Sequence, residues 1–258
     1  MNETPNALDQ RPTAELVNLL LINRDEDEAE SVYWSAMRVL HLRGTLEVFE
    51  AARSLCLSSC SLEQRIGCGI LAQLGSPEES FASASFLLVV SVIRRTDDLD
   101  TLANGLCALG WLADLRGVDV VLHYIGHADS DIRYWVTHAL TAMNEDERCI
   151  EGLIRLSTDP DADVRDWATF GLGSQTEQDT PAIREALVAR LPDADEIVRG
   201  EALVGLAKRQ DERVIEPLLQ ALESETYKCT PNDYATEALS ELRDIEKHPR
   251  LSKWKPNA

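Results

Sequence analysis

Residues 161–173 read DADVRDWATFGLG, and this stretch decides the fold. Its Val164, Ala168, Gly171 and Leu172 stand at offsets 0, +4, +7 and +8. At about 100° per residue these offsets form one apolar helical stripe. Its two largest side chains, Trp167 and Phe170, fall off that stripe. The stretch aligns without gaps to DSDIRYWVTHAL (129–140) and DEIVRGEALVGL (195–206), with Val136, Ala139 and Leu140 following Ile132, and Ala202, Gly205 and Leu206 following Val198.

The same frame extends both ways along the chain. Upstream it takes in Val32 with Ala36, Val39 and Leu40, Leu62 with Ile66, Gly69 and Ile70, and Thr101 with Gly105, Ala108 and Leu109; downstream it takes in Pro231 with Ala235, Ala238 and Leu239. The units start at 32, 62, 101, 132, 164, 198 and 231, so the steps are 30, 39, 31, 32, 34 and 33 residues. A period in the low thirties marks a repeat of paired helices. Second amphipathic segments lie between, among them ERCIEGLIRLS (147–157), TPAIREALVARL (180–191) and ERVIEPLLQAL (212–222), with apolar residues at i, i+3, i+4 and i+7. Acidic or proline-containing joints such as TDPDAD and PDADE separate the pairs. The pattern predicts an all-α protein, an α-α superhelix built as a solenoid of about seven helical pairs. Residues 1–28 are expected to hold a capping helix and an acidic linker, 29–245 the solenoid, and 246–258 a basic tail.

Two features of the unit are structural. The small residue at +7 (Gly69, Ala108, Ala139, Gly171, Gly205, Ala238) permits close approach of neighbouring helices. The acid at −3 (Asp129, Asp161, Asp195) suits a helix entry, where unpaired N–H groups and the positive dipole end favour a short acceptor. The step of 39 is expected to reflect a longer helix over the apolar run FASASFLLVVSVIRR (81–95).

The pattern D-x-D-V-R-x-x-A-x-x-x-L-G followed by a segment like ERVIEPLLQAL resembles the HEAT repeat, in the short bacterial form also called the PBS-lyase HEAT-like repeat. The resemblance covers about residues 30–245, strongly in the last four units. The whole-chain order, from AMRVLHLRG to VRDWATFGLG, is similar to bacterial HEAT-repeat proteins of the YibA type. What the resemblance implies is a protein-binding solenoid. The word lyase in the repeat's name comes from phycobilin-attaching relatives and transfers no catalytic residue.

Composition sets the limits on function. Hydrophobic residues make up 44% of 258, enough for a substantial core. No basic leader opens the chain and no run of about 18 apolar residues crosses it, so a membrane role is not expected. Six scattered cysteines without a C-x-x-C pair suit buried thiols in a reducing compartment, and a cytoplasmic protein is expected. Twenty-five Lys and Arg against 45 Asp and Glu give a net charge of −20. Such a field repels nucleic acid and anionic membranes and attracts a basic protein, unless it serves solubility alone.

Offsets +2, +3, +6 and +10 cluster on the helix side opposite the core stripe. In solenoids of the resembled family that side lines the concave, partner-binding face. The positions read Trp34 and Arg38, Arg65 and Cys68, Asn104 and Trp111, Tyr134, Trp135 and His138, Asp166, Trp167 and Phe170, Glu201 and Val204, and Tyr234, Glu237 and Glu241. From these, the expected partner-binding residues are Trp34, Arg38, Arg65, Asn104, Trp111, Tyr134, Trp135, His138, Asp166, Trp167, Phe170, Glu201, Tyr234 and Glu237. Clustered exposed aromatics are the common anchors of contact sites, although aromatics can also pack on one another as groove filler.

Candidates for chemistry are weak. His123 and His127 have i, i+4 spacing but lack an H-E-x-x-H pattern and a third ligand, Cys56 and Cys60 read as core thiols, and GCGILAQLG (67–75) does not match a phosphate-binding loop. His138 and Asp166 could form an acid–base pair across neighbouring repeats, with contact residues as the competing reading. No metal or cofactor is expected, and the expected activity is non-catalytic capture of a basic protein or peptide by a chain that is monomeric when free. Charge and resemblance together extend this to an immunity-type inhibitor of a basic toxin. The alternative, implied by the phycobilin-attaching relatives, is a lyase or chromophore chaperone.

Overall fold

In the computed structural model, which describes residues 10–23, 32–76, 80–223, 234–243, 248–252 and 254, every regular element is helical. The chain forms two compact units, Met1–Tyr124 and Ile125–Ala258. The first holds α1 (Thr13–Ile22), α2 (Val32–Arg43), α3 (Leu46–Cys56), α4 (Ser61–Ala72), α5 (Ala82–Ile93), α6 (Leu99–Leu112) and α7 (Val118–Leu122). The second holds α8 (Ser130–Ala142), α9 (Glu147–Leu156), α10 (Ala162–Phe170), α11 (Pro181–Arg190), α12 (Glu196–Lys208), α13 (Ile215–Glu223), α14 (Tyr234–Glu241) and α15 (Pro249–Ser252). Pro231, Cys229, the linker residues 24–28 and most of the tail 246–258 lie outside the described residues.

The repeated frame falls on α2, α4, α6, α8, α10, α12 and α14, and the segments between supply the second helix of each pair. The apolar stripe forms the core, except at Val32, which opens the first unit's frame and is 41% exposed. Val164, Ala168 and Leu172 are fully buried, as are Val136, Ala139 and Leu140 in α8 and Val198, Ala202 and Leu206 in α12. Each entry is capped as its acid predicts: Asp129, Asp161 and Asp195 accept from backbone N–H groups of Asp131, of Asp163 and Val164, and of Ile197 and Val198.

The small residues at +7 stand at close contacts. A Cβ on Gly205 would come within 2.6 Å of the Gly173 Cα, and one on Gly171 within 2.6 Å of Thr141 Oγ1. Here α10 ends in a π-helical turn, Gly171–Gln175, whose freed carbonyls face α12. The buried Arg209 guanidinium fills that gap, donating to Leu172, Gly173, Thr176, Gln178 and Gly205 carbonyls at 2.7–3.2 Å. A π-turn needs such a partner because its backbone oxygens lack the regular helical donor.

The step of 39 has a different origin from the one expected. α5 is an ordinary helix of 12 residues, and the extra length lies in the connection 73–81 before it. There Gly75 (φ 76°) meets Gly44 (φ 51°) so closely that a Cβ on Gly44 would stand 2.6 Å from the Gly75 Cα. Only glycine accepts both that conformation and that approach.

A second repeated device was not read from the sequence. The arginine at +1 of one repeat reaches the aspartate at −5 of the next: Arg133 pairs with Asp159 at 2.8 Å and Arg165 with Asp193 at 2.9 Å. The same guanidinium groups bond the carbonyls that precede their own helices, at His127 and Ala128 and at Asp159 and Pro160. Asp159 and Asp193 also accept the backbone N–H of the capping acid, and His127 Nδ1 takes that place before Asp129. The D-P-D and D-A-D spacing ahead of each helix was the available signal.

Candidate functional site

The side opposite the core stripe is built differently in the two units. In the first unit Trp34 and Trp111 are 45% and 51% exposed, and Arg38 and Asn104 are exposed beside them in the repeat frame. Trp34 packs edge-on against Tyr33 at 5.1 Å, and Arg65 is engaged by Asp100 at 2.8 Å. Cys68, expected on this surface, is fully buried, with its thiol pushed well up by contact with Cys56 and by burial. Cys60 is the converse correction: it is exposed at the entry of α4, not a core thiol.

In the second unit the aromatic residues of α8 and α10 form one connected cluster. Tyr134 meets Trp135 at 5.1 Å and Trp167 at 5.8 Å, both edge-on, and Trp167 meets Phe170 at 5.5 Å. His138 bridges Trp135 and Trp167 at 5.5 and 5.6 Å. These are the favoured edge-to-face geometries of π systems. Burial lowers the His138 imidazole's affinity for a proton, so it stands in the cluster as a neutral ring. The rings are all half-buried, neither core nor free surface. Their position follows from offsets +2, +3 and +6, which the helix turns away from the core on two neighbouring repeats.

Alongside the rings lies a pocket of about 370 Å³, lined by Ser130, Asp131, Tyr134 and Trp135 from α8 and by Asp161, Asp163, Asp166 and Trp167 from the start of α10. Four carboxylates and three aromatic side chains therefore share one opening, and no lining residue is basic. Asp161 is already engaged as the helix cap. The Asp166 Oδ1 is buried without a hydrogen-bond partner, and burial with the nearby Asp195 and Asp163 charges raises that carboxyl to about 6.

The face changes character at α12. Glu201, Val204 and Tyr234, expected on the surface, are buried. The reason is Gly200: the absence of a side chain lets Tyr234 of α14 lie on the helix backbone, so a Cβ there would be 2.3 Å from the ring. Tyr234 covers this stretch and donates to Glu201, whose carboxyl is nonetheless raised to about 7 by burial and by the Asp166 charge. Glu237 remains exposed. His123 packs edge-on against Tyr124 at 4.9 Å, and His127 supports the Asp129 backbone. No group of three or more metal-ligating side chains occurs among the described residues, and no helix among them is long and apolar enough to cross a membrane.

This architecture has known counterparts. The solved structure of YibA from Escherichia coli is 24% identical with a TM-score of 0.70, covering 100% of this chain and 94% of that one. An engineered protein is 19% identical with a TM-score of 0.55, over 77% of this chain and 96% of that one. The complex of CpcE and CpcF of phycocyanin lyase from Nostoc sp. is 14% identical with a TM-score of 0.51, covering 98% of each chain. At these identities the likeness is one of fold. No curated protein matches the chain in sequence. The HEAT-repeat family matches residues 86–173 and 150–230, together more than half of the chain, and with the helical pairs, buried stripe and capping aspartates described above the chain belongs to the HEAT-repeat family.

Proposed function

We propose that the chain is a non-catalytic binding protein that captures a basic protein segment on the aromatic and acidic face of α8 and α10. The observation that carries this reading is the cluster itself: five rings in unbroken edge contact next to a carboxylate-lined pocket without a basic side chain. Large, rigid aromatic side chains with acids around them anchor cationic partners at small entropic cost, and a charge of −20 draws such partners from a distance. In its sharper form the partner is a basic toxin and the chain its inhibitor, an acidic face occluding a cationic active site. Affinity capture from native lysate tests the reading. A basic partner is expected to be retained at low salt, to be released as ions screen attraction over about 10 Å, and to be lost when Trp135 and Trp167 are both replaced by Ala. Retention that ignores salt and survives the double replacement overturns it. Toxicity of the partner expressed alone, relieved by co-expression, separates the inhibitor from a scaffold without that role. The pigment-handling alternative has its own readout: visible absorption by protein purified from its native host.

A further inference from the structure

Asp159, Asp193 and Asp211 each meet arginine: Asp159 meets Arg133, Asp193 meets Arg165 and Arg190, and Asp211 meets Arg184 and Arg213, at 2.7–3.2 Å. The acids of the α8–α10 pocket have no arginine among the lining residues, although the pocket brings Asp131, Asp163 and Asp166 together with the rings of Tyr134, Trp135 and Trp167. One of those carboxylates keeps a buried oxygen without a donor. That oxygen is closed to solvent, but Asp166 itself is half-buried and lines the opening, so a donor that enters the pocket meets the rest of its carboxylate.

We propose that this pocket is the receptor for one arginine side chain of the partner, its guanidinium stacked on the indole wall and its N–H fork directed at Asp166. The assignment rests on the binding reading above and sharpens it to a single chemical group. Guanidinium suits the pocket better than ammonium on three counts. It is planar and stacks on Trp; it offers five N–H donors to several carboxylates at once; and it is weakly hydrated, so entering a half-buried site costs it less. The volume of about 370 Å³ lies within the range of small-ligand sites. The fold itself uses the same chemistry, since Arg133 and Arg165 satisfy aspartates and backbone carbonyls together.

The experiment titrates the full chain with acetyl-Gly-Gly-Arg-Gly-Gly-amide and with the same peptide carrying lysine or citrulline in place of arginine, read by tryptophan fluorescence at low salt. Citrulline keeps the shape and loses the charge. The arginine peptide is expected to bind at least tenfold more tightly than either. Asp166→Asn, which keeps the side-chain volume, and Trp167→Ala are each expected to weaken it tenfold or more, while Glu47→Gln, at an exposed acid of the first unit, leaves it unchanged; circular dichroism melts verify that the variants are folded. Equal binding of the citrulline peptide, lysine binding as tight as arginine, or indifference to Asp166→Asn overturns the assignment. If the arginine peptide fails to bind while a basic partner is still captured in a salt-dependent way, the pocket assignment falls and the broader reading stands. If the peptide binds as described and no basic partner is captured, the reverse holds.

Discussion

At Trp167 and Leu172, five residues apart on consecutive turns, the same helical region serves two ends. Leu172 is fully buried on the stripe, while Trp167 is half-buried among other rings. Leu172→Ala or Leu140→Ala is expected to cost about 2–5 kcal/mol of stability, since each opens a cavity in a closed core. Trp135→Ala and Trp167→Ala are expected to cost less in a thermal melt and to lower partner affinity by about 2 kcal/mol or more. Trp variants that unfold as readily as the Leu variants would make the rings core filler. Glu201 supplies a pH signature. Its carboxyl is raised to about 7 and that of Asp166 to about 6, whereas both stand near 4 in an unfolded chain. Tyr234, Glu237 and Lys208 complete the charged or titratable surroundings of Glu201. Between about pH 4 and 7 the folded chain thus retains protons that the unfolded chain has released, and these two groups make stability fall as pH rises through that window. Glu201→Gln is expected to stabilise the protein by about 1–3 kcal/mol at pH 7.5 and by little at pH 5, measured by denaturant unfolding at both values. An equal effect at both pH values would show that the carboxyl is not held protonated.

Between helices, the connection from one repeat to the next rests on side chains that never enter the apolar stripe. Asp193 is held by Arg165; burial raises its carboxyl's proton affinity, but the arginine bonds and the Asp195 backbone N–H outweigh that and keep it below the ordinary range. Arg165→Leu leaves that buried aspartate without its main partner and is expected to cost about 3 kcal/mol, more than the ~1 kcal/mol of removing a cap in Asp161→Ala. Comparable losses in the two variants would mean that the ladder adds nothing beyond an exposed ion pair. Gly205→Ala is the matching test of helix approach. Its new methyl would meet the Gly173 backbone, which cannot rotate away, and a loss of about 1–3 kcal/mol is expected where alanine in an ordinary helix position stabilises. A neutral or stabilising result would show that α10 and α12 yield freely.

Across the whole chain, a charge of −20 sets acids against one another even though many are paired. Screening that self-repulsion is expected to outweigh weakening of the local ion pairs, so the melting temperature should rise as sodium chloride goes from low to moderate concentration, where partner affinity should fall. A melting temperature that drops with salt would place the ion-pair ladder above the net charge in the energetics. Circular dichroism is expected to be dominated by helix, in keeping with the absence of strands among the described residues.

The period, the helix positions, the buried stripe and the capping aspartates were all legible in the sequence, because each is a local consequence of 3.6 residues per turn and of unpaired N–H groups at a helix entry. The offset of Trp135 and Trp167 from the core was legible for the same reason. What faces a surface position is not local. Nothing in VRGEALVGL announces that Tyr234 would lie across Gly200 and bury Glu201, since that depends on how closely α14 approaches α12. The pairings of Arg133 with Asp159 and Arg165 with Asp193 span 26 and 28 residues, and the Arg209 guanidinium gathers five carbonyls, two of which, Leu172 and Gly173, lie in a π-turn that periodicity does not encode. The sequence by itself determined which residues turn toward the core and which turn away; only the tertiary structure decided which of those turned away are covered by the next repeat and which are left around an open, acid-lined pocket, because that depends on contacts between helices far apart in the chain.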